Sequence, residues 1–313
     1  MKRETLCVVI PVYNEEAGLE LNLQAIASAL EGAGIPYGLL VVDDGSTDRT
    51  WEILKRQAAR SERISAIRFS RNFGKEAAIF AGLDAAQGEA VAVMDCDLQH
   101  PPALLVDMYR LWQQQGYEVV EAAKADRGSE SRLSKIFANA FYKIMRLLSG
   151  LDLKNSSDFR LMDRKVVEAL RLMPERQTFF RGMSSWVGYR RTQILFDVAP
   201  RQEGDSKWSH KKLYRYALSA ISAYSSIPMQ VITVAGVFFL LFGVVLAIQT
   251  LYTKFSGRAL DGFTTVILLI IITGSIIMLG LGVVGNYIAK IYEEIKGRPR
   301  YLIAEQIKKE RTE

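Results

Sequence analysis

The chain has 313 residues, a formal net charge of +6, two cysteines and two histidines. The basic excess is modest and forms no patch interleaved with aromatics, which argues against a nucleic-acid binder. Cys7 and Cys96 sit singly in apolar runs and His100 and His210 lie far apart, so a zinc site is not expected; the thiols read as buried and reduced, as in a cytosolic domain.

The first apolar run is short and ends at Pro11, too soon for a signal peptide, so the N-terminal part is expected to stay in the cytosol. Residues 6–12 read as a buried strand, followed by Tyr13-Asn14-Glu15-Glu16 and a helix to about residue 31. A second strand, 37–42, ends in Asp43-Asp44-Gly45-Ser46-Thr47-Asp48, where Gly45 permits a tight turn and Ser46 to Asp48 can cap the next helix. A third strand, 64–69, leads into Ser70-Arg71-Asn72-Phe73-Gly74-Lys75 and a helix ending near residue 86. The fourth, 90–94, delivers Asp95-Cys96-Asp97-Leu98-Gln99-His100 before Pro101 and Pro102 open another helix. Strands alternating with helices through short loops predict a parallel α/β sheet, in which ligands bind outside the carboxyl ends of the strands.

Those strand ends gather Glu15, Asp43, Asp44, Asp95, Asp97 and Gln99 on one rim. Asp95, Asp97 and Gln99 are spaced two apart and would share one face of an extended segment. Hard oxygen donors of this kind suit Mg²⁺ or Mn²⁺, which take one or two carboxylates plus substrate phosphates. A solvated turn is the plainer reading of the same residues. No GxxxxGK[ST] and no GxGxxG is present, which excludes a P-loop enzyme and an ordinary dinucleotide binder.

After a strand at 118–123 comes a basic, loop-like stretch, 124–135, in which Arg127, Arg132 and Lys135 can clamp a phosphate, and then a helix at 136–148. Residues 155–160 read as a polar loop carrying Asp158, and the aromatics of 179–189 read mostly as core. A second flexible basic loop, 201–208, offers Arg201 and Lys207. Residues 209–228 read as an amphipathic helix on a membrane surface. Residues 229–290 contain two apolar runs of spanning length, about 229–251 and 263–289, with a basic cytosolic tail at 291–313. Basic flanks on both sides of this pair place both ends in the cytosol, and the glycines within it allow close helix contact, including between subunits.

The motifs Ile10-Pro11-Val12-Tyr13-Asn14-Glu15, Val42-Asp43-Asp44-Gly45-Ser46, Arg71-Asn72-Phe73-Gly74-Lys75, Asp95 to Pro102 and Asp158 to Arg164 resemble the family 2 glycosyltransferases. Within that family they resemble the polyprenyl-phosphate branch, the dolichyl-phosphate mannose synthase-like enzymes and the bacterial polyprenyl-phosphate glucosyltransferases. The resemblance runs through the two C-terminal spans. It implies a GT-A catalytic domain over 1–208, α/β in class, with Pro11, Tyr13, Glu15, Asp43, Asp44 and Asp95 at the nucleotide sugar. It implies Asp97 and Gln99, with Asp95, at a Mg²⁺ or Mn²⁺ ion, and Arg127, Arg132, Lys135, Arg201 and Lys207 at the acceptor phosphate. Asp97 and Asp158 are the catalytic candidates. A phosphate monoester, with a second pKa of about 6, needs little deprotonation, so Asp158 is expected to orient rather than to accept a proton.

The implied activity is inverting, metal-dependent transfer of a sugar, by default glucose from UDP-glucose, to polyprenyl (undecaprenyl) phosphate. The implied setting is the bacterial inner membrane, multi-pass, as a homo-oligomer, a tetramer by resemblance. A processive polysaccharide synthase is the nearest alternative, but its Gln-x-x-Arg-Trp motif is absent: Gln177 lies four residues before Arg181, which no Trp follows. A catalytically silent membrane scaffold is the alternative outside enzymes, and the strand-end carboxylates argue against it.

Overall fold

The computed structural model describes residues 5–124, 156–176, 178–196, 227–256 and 262–308. The chain divides into two compact units, one made of Met1–Lys207 with Arg298–Glu313 and the other of Trp208–Gly297.

The first unit is built on a sheet whose apolar runs are dictated by burial on both faces. The strands are β1 (Leu6–Val12), β2 (Tyr37–Asp43), β3 (Ile64–Phe69), β4 (Ala90–Val93), β5 (Val119–Lys124), β6 (Ser156–Asp163), β7 (Arg191–Phe196) and β8 (Ile303–Ile307). Their order across the sheet is β7-β5-β6-β4-β1-β2-β3-β8. β4, β1, β2 and β3 run parallel, as the strand–helix alternation predicts. β6 runs antiparallel to β4 and β5, and β8 antiparallel to β3.

The helices are α1 (Leu19–Gly32), α2 (Thr50–Arg60), α3 (Lys75–Ala85), α4 (Ala103–Gln115), α5 (Arg164–Arg171) and α6 (Phe180–Trp186). Strand alternation divides the core in two. Leu6, Val8 and Ile10 of β1 pack with Leu19, Leu23, Ile26 and Leu30 of α1 and with Trp51 and Leu54 of α2. Val9 and Cys7 face the other way, toward Ala78, Ile79 and Leu83 of α3 and Val166 and Leu170 of α5. Each fully buried Leu or Ile contributes roughly 1.5–3 kcal/mol. α3 lies so close to the sheet that a Cβ on Gly82 would stand 2.1 Å from Cγ1 of Val9.

The structure departs from the sequence expectations in three places. Residues 156–163 form a strand, not a loop: Phe159 and Leu161 enter one core layer and Met162 the other, while backbone bonds to β4 and β5 satisfy the chain. The tail drawn over 291–313 is in part an element of the sheet, since Ile303–Ile307 is β8. Asp95 to Gln99 is not an extended segment, because β4 stops at Val93 and Leu98 sits at φ 52°.

The second unit contains α7 (Ile227–Phe255, 29 residues) and α8 (Phe263–Ile295, 33 residues). Among the described residues one stretch, Ile272–Ile295 of α8, is long and apolar enough to cross a membrane; α7 carries a shorter apolar stretch, Ile232–Leu246. Large apolar side chains on both helices are exposed, among them Phe238, Ile248, Met278 and Ile288. The amphipathic helix expected over 209–228 falls, up to residue 226, outside the described residues.

Candidate active site

The carboxyl ends of β1, β2 and β4 open on one edge of the sheet. Because β6 runs antiparallel to β4, with Val93 opposite Arg160, the start of β6 brings Asp158 to that same edge. Pro11 lies within β1, opposite Val42, and Tyr13 stands exposed just past the strand end.

The β1–β2 side is assembled from backbone hydrogen bonds. Asn14, at φ 54°, donates its N–H to Oγ of Ser46 (2.9 Å) and accepts from the N–H of Thr47 (2.9 Å). Asn tolerates this left-handed conformation better than most residues. The Glu15 N–H is bound by Oγ1 of Thr50 (3.0 Å). Asp43 is fully buried; its Oδ1 accepts from the Ser46 N–H (2.9 Å). Its Oδ2 lies 3.5 Å from Nε of Arg68 and makes no hydrogen bond among the described residues. Asp44 accepts from the N–H groups of Phe73 (2.7 Å) and Gly74 (2.9 Å).

Burial raises the pKa of both aspartates, and hydrogen bonds oppose the shift without cancelling it. Gly45 makes this arrangement possible. Its φ is +69°, and a Cβ there would sit 2.5 Å from the carbonyl carbon of Arg71. A cavity of about 550 Å³ opens here, lined by Tyr13, Ser46, Arg68, Arg71, Asn72 and Ala304, with others.

Asp95, Asp97 and Gln99 lie in the turn after β4. The left-handed Leu98 folds the turn back, so that Gln99 donates its backbone N–H (3.2 Å) and its side-chain amide (2.7 Å) to Asp97. The three groups are gathered by a turn, not by strand alternation. Negative charge accumulates around them: burial raises the pKa of Glu15, and Asp97, Asp48 and Asp95 raise it further. Among the described residues no group of three or more His, Cys, Asp or Glu forms a metal cage. Two carboxylates and an amide nonetheless fit a hard divalent cation that takes its remaining ligands from phosphates and water.

Asp158 is held differently. Lys75 Nζ lies 2.8 Å from Asp158 Oδ2 and 2.6 Å from Asp95 Oδ1, joining the ends of β4 and β6. Arg181 grips Asp158 with Nε (2.6 Å) and an Nη (3.1 Å). Burial alone would raise the Asp158 carboxyl; Arg181 and then Lys75 outweigh it and hold it far below the usual carboxylate range. Burial works against the charged Lys75, yet Asp95 and Asp158 push its pKa up to about 12. Glu76 accepts the Phe180 N–H (2.8 Å) and so fixes the start of α6, which carries Arg181. Its pKa is pushed by burial to about 7. Beneath lies Arg160, fully buried, 3.4 Å from Glu121 and hydrogen-bonded to Ser184 and to the Ser157 carbonyl (2.7 Å).

The structure thus brings Glu15, Asp43, Asp44, Asp95, Asp97, Gln99 and Asp158 to one edge. Arg127, Arg132, Lys135, Arg201 and Lys207 fall outside the described residues. Sequence reasoning missed Arg181 and Glu76 as members of the site and Arg68 as a wall. The signal for Arg181 was a lone cation inside an aromatic run. His100 is buried with its ring against Phe159 (5.1 Å) and Phe196 (5.0 Å), a core position. A cleft of about 700 Å³ between α1 and α2 receives no strand end, and several of its charges are already paired, as in Arg49–Glu16.

Residues 7–171 match the model of glycosyl transferase family 2. An uncharacterized glycosyltransferase of Synechocystis sp. is 39% identical over 302 residues, covering 96% of this chain and 95% of its own length. The bactoprenol glucosyl transferase of Shigella phage SfV is 36% identical over 309 residues, covering 97% of this chain and 99% of its own. Among solved structures, glucosyl-3-phosphoglycerate synthase from Mycobacterium tuberculosis in complex with Mn²⁺ and UDP-glucose is similar at a TM-score of 0.47 and 22% identity, covering 70% of this chain and 77% of that one.

Proposed function

The chain belongs to glycosyl transferase family 2, and from that premise we propose that it moves glucose from UDP-glucose to a polyprenyl phosphate, with inversion, to give a polyprenyl-phosphate glucose. The observation that carries this reading is the near end-to-end similarity to a bactoprenol glucosyl transferase, which includes the two long helices beyond the family match. The rim described above is the site such a reaction needs.

In this reading an oxygen of the acceptor phosphate attacks the anomeric carbon as the bond from that carbon to the diphosphate breaks, and the nucleoside diphosphate leaves from the opposite face. Asp43 and Asp44 shape the nucleoside end of the pocket beside Tyr13 and Pro11. Asp97 and Gln99, with Asp95, would hold Mg²⁺ or Mn²⁺, which when bound neutralises charge on the leaving diphosphate. Asp158 remains ionised and anchors Lys75 and Arg181, two cations placed where a phosphate can exchange for a carboxylate. A carboxylate so strongly acidified is a poor base, and the acceptor does not need one. Arg127, Arg132, Lys135, Arg201 and Lys207 remain the proposed grip on the lipid phosphate.

Connectivity supports the proposed membrane topology. The chain leaves the catalytic unit after residue 207 and returns at residue 298 to add β8 to the same sheet. Any crossings in between must therefore be even in number, and α7 and α8 are the pair proposed to cross. Both termini and the catalytic unit then share the cytosolic side of a bacterial inner membrane.

The test is transfer of label from radiolabelled nucleotide sugars to undecaprenyl phosphate in the organic phase, using the full-length protein with Mg²⁺ or Mn²⁺. Label should enter from UDP-glucose, vanish with EDTA, and fall by about 10³-fold in Asp97→Asn with the Tm unchanged. Near-normal transfer by Asp97→Asn would remove the metal assignment, and label from another donor would correct the sugar.

A further inference from the structure

β8 follows α8 in the sequence and lies outside residues 7–171, yet it reaches the nucleotide end of the rim. The segment is fastened along its length. The Tyr301 ring stacks on Phe69 at 5.0 Å, and its hydroxyl donates to Asp84 (2.9 Å). The Leu302 carbonyl accepts the Ser70 N–H (3.0 Å). Ile303–Ile307 then pairs with β3, and Ala304 lines the cavity together with Tyr13, Ser46 and Arg71.

Glu305 makes the connection to the buried part of the pocket. One of its oxygens lies 3.1 Å from Lys55, the other 3.2 Å from Arg68. Arg68 is also 3.5 Å from Asp43 Oδ2 and donates to the Ser46 carbonyl (3.3 Å). Its guanidinium is thus shared between two carboxylates, one on each side of it.

We infer that residues 300–306 are a wall of the donor pocket, and that Glu305 is a positioning residue that holds the Arg68 guanidinium in the cavity wall, against the pull of the buried Asp43 behind it. Without the Glu305 charge, Arg68 has one carboxylate left and is drawn from the cavity wall onto Asp43, which removes a contact with the nucleoside end of the donor. Arg68 faces the ligand, and Glu305 keeps it there. The inference rests on the reading of this pocket as the seat of a nucleoside diphosphate.

The test is calorimetric binding of UDP to the full-length protein in detergent with Mg²⁺, together with KM and kcat for UDP-glucose. Glu305→Gln should weaken UDP binding about tenfold, on the scale of a charge-assisted hydrogen bond. The donor KM should rise with kcat near wild type, and Glu305→Asp should restore part of the affinity. Ala304→Trp fills the cavity from an exposed strand and should weaken UDP binding more, with the Tm unchanged. Glu20→Gln, on an exposed pair away from the rim, should leave binding as it was. UDP affinity equal to wild type in both Glu305→Gln and Ala304→Trp overturns the inference and leaves the donor pocket standing. A wild-type protein that binds no UDP overturns the pocket reading itself, and the inference with it.

Discussion

The two halves of the rim hold their carboxylates by opposite means. Around Asp43 and Asp44 the hydrogen-bonding partners are backbone N–H groups, with Arg68 at 3.5 Å from Asp43 as a looser ion pair, and burial lifts both pKa values. Around Asp158 the partners are Lys75 and Arg181, and its pKa falls far below the ordinary range. The first half is shaped by chain geometry and borders a cavity lined by polar side chains and backbone, which suits a neutral nucleoside. The second half stores positive charge against a carboxylate, which suits a ligand that arrives with phosphate oxygens. In the proposed reading, the sheet edge separates recognition of a base from recognition of a phosphate by what faces each strand end.

The comparison can be broken hardest at Asp158. Asp158→Asn removes a buried carboxylate that Arg181 and Lys75 share; because both cations are partly exposed and Lys75 keeps Asp95, it should cost about 2 kcal/mol of stability and about 10²-fold in kcat. The sign with pH is fixed by the depressed pKa. Its stabilisation is fully present above the ordinary carboxylate pKa and is lost as pH falls below that value. Denaturant titrations of wild type and Asp158→Asn should therefore differ most near neutrality and converge in acid; a difference independent of pH would remove the charge clamp.

The other half breaks through its backbone. Gly45→Ala adds a Cβ at a left-handed position and drives it into the backbone of Arg71. The conformation alone costs about 1–2 kcal/mol, and the displaced 71–74 segment should loosen the N–H groups that hold Asp44. Chemical denaturation reads the first effect and donor KM the second, while the kcat at saturating donor should hold.

The smallest effect sharpens the contrast within the charged half. The Glu76 pKa of about 7 is raised by burial, so the folded state holds this proton more tightly than the unfolded one. Stability therefore declines as pH rises from the ordinary glutamate value to about 7, and stays lower above it. Glu76→Gln keeps an acceptor for the Phe180 N–H without the charge. It should stabilise by about 1 kcal/mol at pH 8 and hardly at all at pH 4, read as the difference in Tm at the two pH values.

How much of this was legible in the sequence depends on where each element found its partners. β1 to β4 are apolar runs ended by Asp, Gly and Pro, and a central parallel strand must look like that. β6 was hidden because Ser157, Asp158 and Arg160 are polar, and their partners come from Ala122, Lys75, Arg181 and Ser184 on other elements. β8 was hidden because an exposed edge strand needs no apolar alternation: Ala304, Glu305 and Gln306 look like a tail until β3 is beside them. Asp95, Asp97 and Gln99 were singled out by their chemistry, but their geometry was misread. The fold-back at Leu98 is a property of one residue's backbone and leaves no mark on spacing.

The return of the chain to β3 also sets a schedule for biosynthesis. β3 is made before α7 and α8, and its outer edge cannot be paired until residues 303–307 have left the ribosome. An unpaired strand edge is a template for misassociation. The catalytic sheet therefore waits, one edge bare, until both long helices have been translated, and a nascent chain stalled in either helix would present that edge to chaperones and proteases.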